Sequence, residues 1–213
     1  MAALEFVLVK LKPDVLVGPS TPGKPFFDLV DDLEQIPGTT QLYYGQVIED
    51  PSKWQFVIQW ESVAANAAFA SSSALGKLQA GLGAIVAEPP MLSPTVDFTH
   101  NPDAALTAPV TEVCTCWGAD EKFHEERMYP FADPVDAFGL TGYHGMGRAE
   151  FDQPAHPDPS AIEGHASRII LGWDSKDAHM AHKGTDSIID KHVHLLLSRN
   201  KGLEMYHVPL KKI

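Results

Sequence analysis

The hydrophobic pattern of the chain changes period several times, and the first half contains one complete series of predicted elements. Dense or alternating apolar stretches predict strands, whereas apolar residues three or four positions apart predict helices. The predicted elements of the first half are a strand at 4–12, a helix within 22–38, hairpin strands at 39–50 and 53–60, a helix capped by Ser62 that ends before 88–90, and a short strand at 94–100. Their order is β-α-β-β-α-β.

The second half repeats this order. Its predicted elements are a strand at 109–118, a helix at 121–131 that Pro130 cuts short, hairpin strands at 139–151 and 166–173, a helix capped by Ser175 that runs to about Ser198, and a last strand at 202–210. Asp177 lies in the first turn of the Ser175 helix, where the helix dipole favours an anion.

The two halves can be superposed as sequences. Residues 43–45 (Tyr-Tyr-Gly) match 143–145 (Tyr-His-Gly), and residues 60–62 (Trp-Glu-Ser) match 173–175 (Trp-Asp-Ser). The two matches differ in offset because the second hairpin has a long Pro- and His-rich loop at 152–165, which we expect to be a solvent-exposed insertion.

Each half therefore predicts a ferredoxin-like split β-α-β unit, in which helices cover one face of an antiparallel sheet. The other face is apolar too, since Leu4, Phe6 and Leu8 alternate with Val7 and Val9. Packing that face on its own copy would cover both. We predict an α+β fold of two such repeats, residues 1–105 and 106–213, packed as an intrachain pseudo-dimeric α+β barrel.

Charge and cysteine content limit the possible partners and the cellular compartment of the protein. With 16 basic and 28 acidic residues the formal charge is −12, so we expect no nucleic-acid partner and no membrane partner. The apolar N-terminus is interrupted by Glu5 and Lys10 and is predicted to be a strand, not a signal peptide. Cys114 and Cys116 are predicted to be reduced core thiols, which fits the cytoplasm.

The repeat order, in units of about 105 residues, and the junction Trp173-Asp174-Ser175 followed by His179 and His182 resemble the dimeric α+β barrel superfamily. Within it, the chain is similar to antibiotic-biosynthesis-monooxygenase-like and stress-responsive barrel domains, here as a fused tandem. The resemblance implies cofactor-free monooxygenase, cyclase, haem-degrading, decarboxylase or isomerase chemistry, or no catalysis. The first copy departs from the junction, because it has Asn66 and Phe69 in place of the two histidines.

Four of the ten histidines fall in the predicted long helix: His179, His182, His192 and His194. His179 and His182 are three residues apart and share one helix face, a spacing that could bind a metal. Because spacing identifies no third ligand, we predict no metal site and no cofactor. An acid–base role for His179 or His182 is the alternative, since imidazole titrates near neutrality.

His144 is the main candidate for a catalytic base. It is predicted to lie in the middle of a strand, with Tyr143 pointing to the opposite sheet face. In the cofactor-free monooxygenase or cyclase chemistry that the resemblance implies, His144 would remove a proton from the substrate. Tyr143 or Tyr44 would orient the substrate through its hydroxyl, and Arg168 would stabilise an enolate or phenolate.

Alternation along 53–60 places the aromatic residues under the helices and points Gln55 and Gln59 at the shared interior, together with Arg168. Convergent polar groups there would line a ligand pocket or form an interface network. Glu5 and Glu112 hold like positions and are expected to pair with Arg168 or to mark the barrel rim.

The predicted function is thus a cofactor-independent monooxygenase-like or cyclase-like enzyme of secondary metabolism. Its predicted partner is a small apolar or aromatic ligand, and a homodimer of the fused chain is left open. Two alternatives remain: a non-catalytic stress-response or ligand-binding barrel, and a haem binder with a helix histidine as axial ligand.

Overall fold

The computed structural model describes residues 2–18, 20–154, 162–184 and 186–213. Half of the predicted insertion loop, residues 155–161, therefore lies outside the described residues. The chain divides into two compact units, the first formed by 2–97 with 211–213, the second by 98–210. The repeat boundary between residues 105 and 106 stays a prediction.

The first unit contains the first predicted series. Its elements are β1 (Ala2–Lys10), β2 (Leu16–Gly18), β3 (Thr21–Pro22), α1 (Lys24–Glu34), β4 (Thr39–Gln46), β5 (Lys53–Trp60), α2 (Val63–Ala70), α3 (Ala74–Ile85), β6 (Met91–Leu92) and the beginning of β7 (Val96–His100). Strand β1 pairs antiparallel with β5 and β6, and β5 pairs antiparallel with β4. As predicted, Trp54, Phe56, Ile58 and Trp60 form a core with α1 on one face of this sheet.

The helix predicted after Ser62 is two helices, so the prediction of a single helix is wrong. The Ser62 hydroxyl accepts a hydrogen bond from the Ala65 amide and caps α2 as expected. Three consecutive serines, Ser71–Ser73, then separate α2 from α3. The Ser71 hydroxyl bonds to the Ala67 carbonyl, a local contact that competes with helix continuation.

The second unit repeats the arrangement. Its elements are α4 (Pro102–Leu106), β8 (Val110–Trp117), α5 (Tyr129–Ala137), β9 (Tyr143–Gln153), β10 (Gly164–Trp173), α6 (Lys176–Ala181), α7 (Ile188–Val193) and β11 (Gly202–Val208). Strands pair antiparallel in the order β11-β8-β10-β9, the order of a ferredoxin-like sheet. Cys114 and Cys116 are free and buried in the core on its helix-covered face, as predicted.

Two helix predictions in this unit are wrong. Pro130 does not end a helix: a π-helical turn at His124–Met128 precedes it, and Pro130 lies in the first turn of α5, where its missing N–H costs nothing. The helix that Ser175 caps ends at Ala181, and α7 starts only after Gly184, whose φ of 153° is incompatible with a helix. The four histidines therefore do not share one helix.

Each sheet gains an edge segment next to its second long strand. In the first unit, β12 (Lys211–Lys212) pairs with Tyr43 and Tyr44 of β4. In the second unit, the end of β7 pairs with β9, where Thr99 lies opposite Arg148. Both edges of the same type are thus covered by a short strand instead of being left open.

Strand register corrects the sequence superposition. Tyr44 pairs with Phe56, which lies four residues before Trp60. In the second unit, the residue four positions before Trp173 is Ile169, and it pairs with Arg148. Matching Tyr44 with His144 is therefore wrong, and the structural counterpart of Tyr44 is Arg148. Both strands contain a register shift near their start, which short sequence matches do not reveal.

The predicted fold class is confirmed: the chain is α+β, built from two ferredoxin-like β-α-β-β-α-β repeats with antiparallel sheets. Among the helices of the described ranges, none combines the length and apolar character needed to span a bilayer.

Candidate functional site

Both units contain the same glutamate–tryptophan pair on the helix-covered face of the sheet. Trp60 lies opposite Ala3, two residues before Glu5 on the same face of β1, and Trp173 lies opposite Val110, two residues before Glu112. Both indole N–H groups donate to the glutamate Oε2, at 3.0 Å for Glu5 and 2.9 Å for Glu112. Because the strand register is the same in the two sheets, the same indole-to-carboxylate hydrogen bond forms in both units.

In the first unit this pair lies at a cavity of about 290 Å³ between the sheet and helices α1, α2 and α3. The residues that line it are mostly aliphatic and aromatic: Glu5, Val7, Leu29, Leu33, Phe56, Ile58, Trp60, Asn66, Phe69, Ala70, Leu75, Leu78, Gln79, Leu82 and Leu92. Glu5 is the only ionisable side chain among them. A concave apolar site with a few polar groups is typical of small-molecule binding.

The environment of Glu5 shifts its proton equilibrium. Burial raises the pKa of Glu5 from 4.5 to about 7, and the hydrogen bond from Trp60 opposes this rise. The Asn66 side-chain amide donates a second hydrogen bond to Oε2, at 3.1 Å. Near neutral pH both the acid and the carboxylate are therefore populated, as a general acid–base group requires.

In the second unit the equivalent carboxylate, that of Glu112, contacts an imidazole. His179 replaces Asn66, and its Nδ1 lies 3.2 Å from Glu112 Oε2 and 2.8 Å from Nε2 of His207. The His179 ring stacks on Trp173 with 4.9 Å between centroids. The expectation that Glu5 and Glu112 pair with Arg168 or mark a rim is wrong, because both lie under the helices against tryptophan.

Three of the predicted catalytic residues surround Trp173. His179 stacks on its indole, the His182 ring lies 5.8 Å away, and the Tyr143 ring lies 5.3 Å away. His182 Nε2 lies 2.8 Å from the carbonyl oxygen of Thr141. Their catalytic role stays a prediction.

The Tyr143 hydroxyl donates to Asp136 Oδ1 at 2.6 Å. Burial, together with this bond to Asp136, raises the pKa of Tyr143 above its usual value. The Tyr143 hydroxyl is therefore engaged as a donor and keeps its proton at neutral pH.

His144 is not brought to this cluster. It is exposed near the start of β9, beside the register shift, and its Nε2 lies 2.8 Å from Asp174 Oδ1. The expectation that His144 lies in the middle of a strand is wrong, since the shift turns this part of β9 away from regular pairing. Its role as a base stays a prediction.

The predicted ligand-binding residues are divided between two sheet faces. Tyr44 belongs to the aromatic core of the first unit, with its ring 5.4 Å from that of Phe26. Gln55 and Gln59 point to the face opposite that core, where Gln55 is buried and donates to the Phe56 carbonyl at 2.6 Å. None of the three predicted residues is among those that line the described cavity.

Arg168 lies on the corresponding face of the second sheet and is buried. Its Nε donates to Thr115 Oγ1 at 2.8 Å, and its guanidinium lies 5.0 Å from the Phe151 ring centre. Burial lowers the pKa of Arg168. The ligand-binding role of Arg168, like those of Tyr44, Gln55 and Gln59, stays a prediction.

Sequence reasoning missed the partners of the two glutamates. Trp60 and Asn66 contact Glu5, and His207 contacts His179 beside Glu112. The signal that could have found the first set is the duplication itself, because a glutamate and a tryptophan recur at equal positions in both repeats. An acidic residue repeated within an apolar strand indicates a shared buried partner.

Three solved structures resemble nearly the whole chain. An anthrone oxidase-like protein matches with a TM-score of 0.69 and 14% identity, covering 100% of this chain and 92% of that one. A proposed monooxygenase from Fusobacterium nucleatum matches with a TM-score of 0.60 and 10% identity, covering 99% and 93%. A proposed monooxygenase from Lactobacillus acidophilus matches with a TM-score of 0.55 and 9% identity, covering 98% and 93%.

No protein-family model matches the sequence of this chain, and no curated protein matches it. At these identities the structural likeness concerns the fold alone. It extends along the full chain, and it agrees with the repeat order and the sheet order of each unit. This chain shares the fold of these structures, with two ferredoxin-like domains in tandem.

Proposed function

We propose that the cavity of the first unit binds a small aromatic or polyketide-like molecule, and that Glu5 removes a proton from it in a cofactor-independent monooxygenase-like or cyclase-like reaction. One observation carries this proposal: the cavity is largely apolar, and its only ionisable lining residue has a pKa of about 7. A base whose pKa lies near the working pH is suited to proton transfer.

The surroundings of Glu5 support this role. The Trp60 indole and the Asn66 amide both donate to Oε2, so they fix the position of the carboxylate and help to hold its charge. The aliphatic walls contributed by Leu29, Leu33 and Leu82 suit a flat apolar ring system. An aromatic or polyketide substrate can delocalise the negative charge that proton removal creates.

In the monooxygenase-like form, the resulting anion reacts with dioxygen. A methylene group flanked by aromatic rings would become a carbonyl: one oxygen atom enters the substrate, and the other leaves as water with the two substrate hydrogens. In the cyclase-like form, the anion attacks a carbonyl of the same molecule instead. The names of the structural neighbours, an anthrone oxidase-like protein and two proposed monooxygenases, favour the oxygen-dependent form for this chain.

The proposed setting is the cytoplasm, which the two free buried cysteines Cys114 and Cys116 support. The net charge of −12 supports a small-molecule partner over nucleic acid or an anionic membrane surface. Pairing of two fused chains into a homodimer is compatible with this function and is not required by it.

A ligand panel tests the proposal. Anthrones, naphthols and polyketide-like phenols are screened by thermal shift, and the binders are then assayed for oxygen consumption and for product by mass spectrometry. We expect at least one binder to be converted by the wild-type protein, and Glu5→Gln to bind it without converting it. Binding with no chemical change in the wild type would favour a non-catalytic ligand-binding barrel.

A further inference from the structure

The second unit contains a buried cluster that the proposed function does not use. Glu112, His179 and His207 expose only 7%, 2% and 1% of their surface. Each residue offers one ligand-type atom, and these three atoms all lie within 4.8 Å of one another. The closest pair is His179 Nδ1 and His207 Nε2, at 2.8 Å.

The two separations measured from His179 Nδ1 fit the coordination sphere of a single ion. Imidazole nitrogens bind zinc at about 2.0–2.1 Å and carboxylate oxygens at about 2.0–2.2 Å. Adjacent ligand atoms around such an ion are then roughly 2.8–3.5 Å apart, from the same bond lengths and octahedral or tetrahedral angles. His179 Nδ1 lies at 2.8 Å from the His207 nitrogen and at 3.2 Å from the Glu112 oxygen, within this range.

The backbone fixes all three side chains. His207 and Glu112 are directly paired across β11 and β8. His179 approaches the sheet from α6, whose start is set by the Ser175 hydroxyl, which accepts a hydrogen bond from the Ala178 amide. Ligands carried by two strands and a capped helix are held more firmly than ligands on loops.

Trp173 supports the set from outside. Its indole N–H donates to Glu112 Oε2 at 2.9 Å and therefore orients the carboxylate. Its ring stacks on His179 and restricts the rotation of that imidazole. Outer contacts of this kind, which orient metal ligands, recur in metal sites.

We propose that Glu112, His179 and His207 bind one divalent first-row transition metal ion, of the zinc or iron class. Two imidazoles and one carboxylate are a ligand set that suits these ions. The net charge of −12 favours the approach of a cation. The spacing argument from sequence considered His182 as the partner of His179, but His182 Nε2 contacts the Thr141 carbonyl instead.

Metal titration of the full chain tests the site. The protein is dialysed against EDTA, and Co²⁺ and Zn²⁺ are then titrated while visible absorption and bound metal per chain are measured. We expect one ion per chain and cobalt absorption bands that report nitrogen and oxygen ligands. His207→Ala and His179→Asn should weaken binding by at least about 100-fold, more than the loss of an outer contact does.

His179→Asn installs the residue that the first repeat has at the same place, Asn66, which limits the risk of misfolding. His182→Ala is the matched control and should bind metal like the wild type. X-ray absorption of the zinc-loaded wild type needs no variant, and we expect two imidazoles and one carboxylate around the ion. Absence of stoichiometric binding, or equal binding in all variants, would overturn the proposal.

Discussion

The two units share a glutamate–tryptophan pair and differ in the side chains that surround it. Each places a glutamate against a tryptophan in the same strand register, with the same indole-to-carboxylate hydrogen bond. In the first unit, Glu5 borders a cavity and is held by an amide from Asn66. In the second unit, Glu112 meets the imidazole of His179. One duplicated scaffold thus surrounds its carboxylate with an apolar pocket in one copy and with metal-type ligands in the other.

The residues next to the tryptophans show the same divergence. Phe69 lies 5.6 Å from Trp60 between ring centroids, and His182 lies 5.8 Å from Trp173. The positions are conserved between the repeats in space, while the chemistry changes from apolar to basic. A shared backbone with a few changed side chains therefore surrounds the two carboxylates with different chemical groups.

The largest expected effect is on turnover. Glu5→Gln removes the proposed base but keeps its shape, so we expect turnover to fall by about 10²–10⁴-fold with ligand affinity nearly unchanged. Oxygen consumption and ligand titration measure the two effects separately. Glu61→Gln, at an exposed neighbouring position, is the matched control. If Glu112→Gln abolished turnover while Glu5→Gln kept it, the chemistry would belong to the second unit.

The next effect concerns stability and pH. Since burial raises the pKa of Glu5 from 4.5 to about 7, the native state holds a proton that the unfolded state has lost between these pH values. The free energy of unfolding should therefore fall as pH rises from 4.5 to 7, by roughly 3 kcal/mol from this group, and then level off.

Glu5→Gln has no such proton, so this part of the pH dependence should be missing from the variant. Urea unfolding of both proteins across this pH range measures the difference. Parallel curves for the wild type and the variant would show that Glu5 titrates alike in the native and unfolded states.

Filling the cavity should weaken binding. Leu78 lies on α3 and lines the pocket, so Leu78→Phe takes volume that a ligand would occupy. We expect affinity for an aromatic ligand to fall by about tenfold or more, equal to about 1.4 kcal/mol. Gly83→Ala, on the same helix, adds a methyl group that meets no other atom and serves as the control. Unchanged affinity in Leu78→Phe would place the ligand elsewhere.

The smallest expected effect is a shift in a pH profile. Turnover should rise with pH through about 7 as Glu5 loses its proton. The hydrogen bond from Trp60 lowers the pKa of Glu5, so Trp60→Phe should move the midpoint upward, by up to about one pH unit. Trp173→Phe, the counterpart in the second unit, should leave the midpoint in place. A downward shift in Trp60→Phe would contradict the assignment of Glu5.

The sequence was sufficient to predict the order of the elements and the faces of the strands. Periodicity determined these, as Trp54 and Phe56 under the helices illustrate, and the duplication reinforced each assignment. Helix breaks at Ser71–Ser73 and at Gly184 were not predicted, because apolar spacing continues across them. The register shift that displaces His144 also leaves no periodic signal.

The candidate sites were harder to predict because their contacts join distant parts of the chain. The expected pairing of Glu5 with Arg168 is wrong, because the partners of Glu5 depend on how β1 pairs with β5 and where α2 lies. His207 meets Glu112 only through strand pairing, and it meets His179 only through the approach of α6 to the sheet. Spacing along one helix therefore could not identify either set.

A ¹³C NMR titration of the glutamate carboxyl groups, with the Glu5 signal identified from its absence in Glu5→Gln, tests the central claim most directly. The Glu5 carboxyl should titrate with a pKa near 7, and its signal should move when an aromatic ligand is added. A Glu5 carboxyl that titrates near 4.5 and does not respond to any ligand would contradict the assignment of the first unit's cavity as the active site.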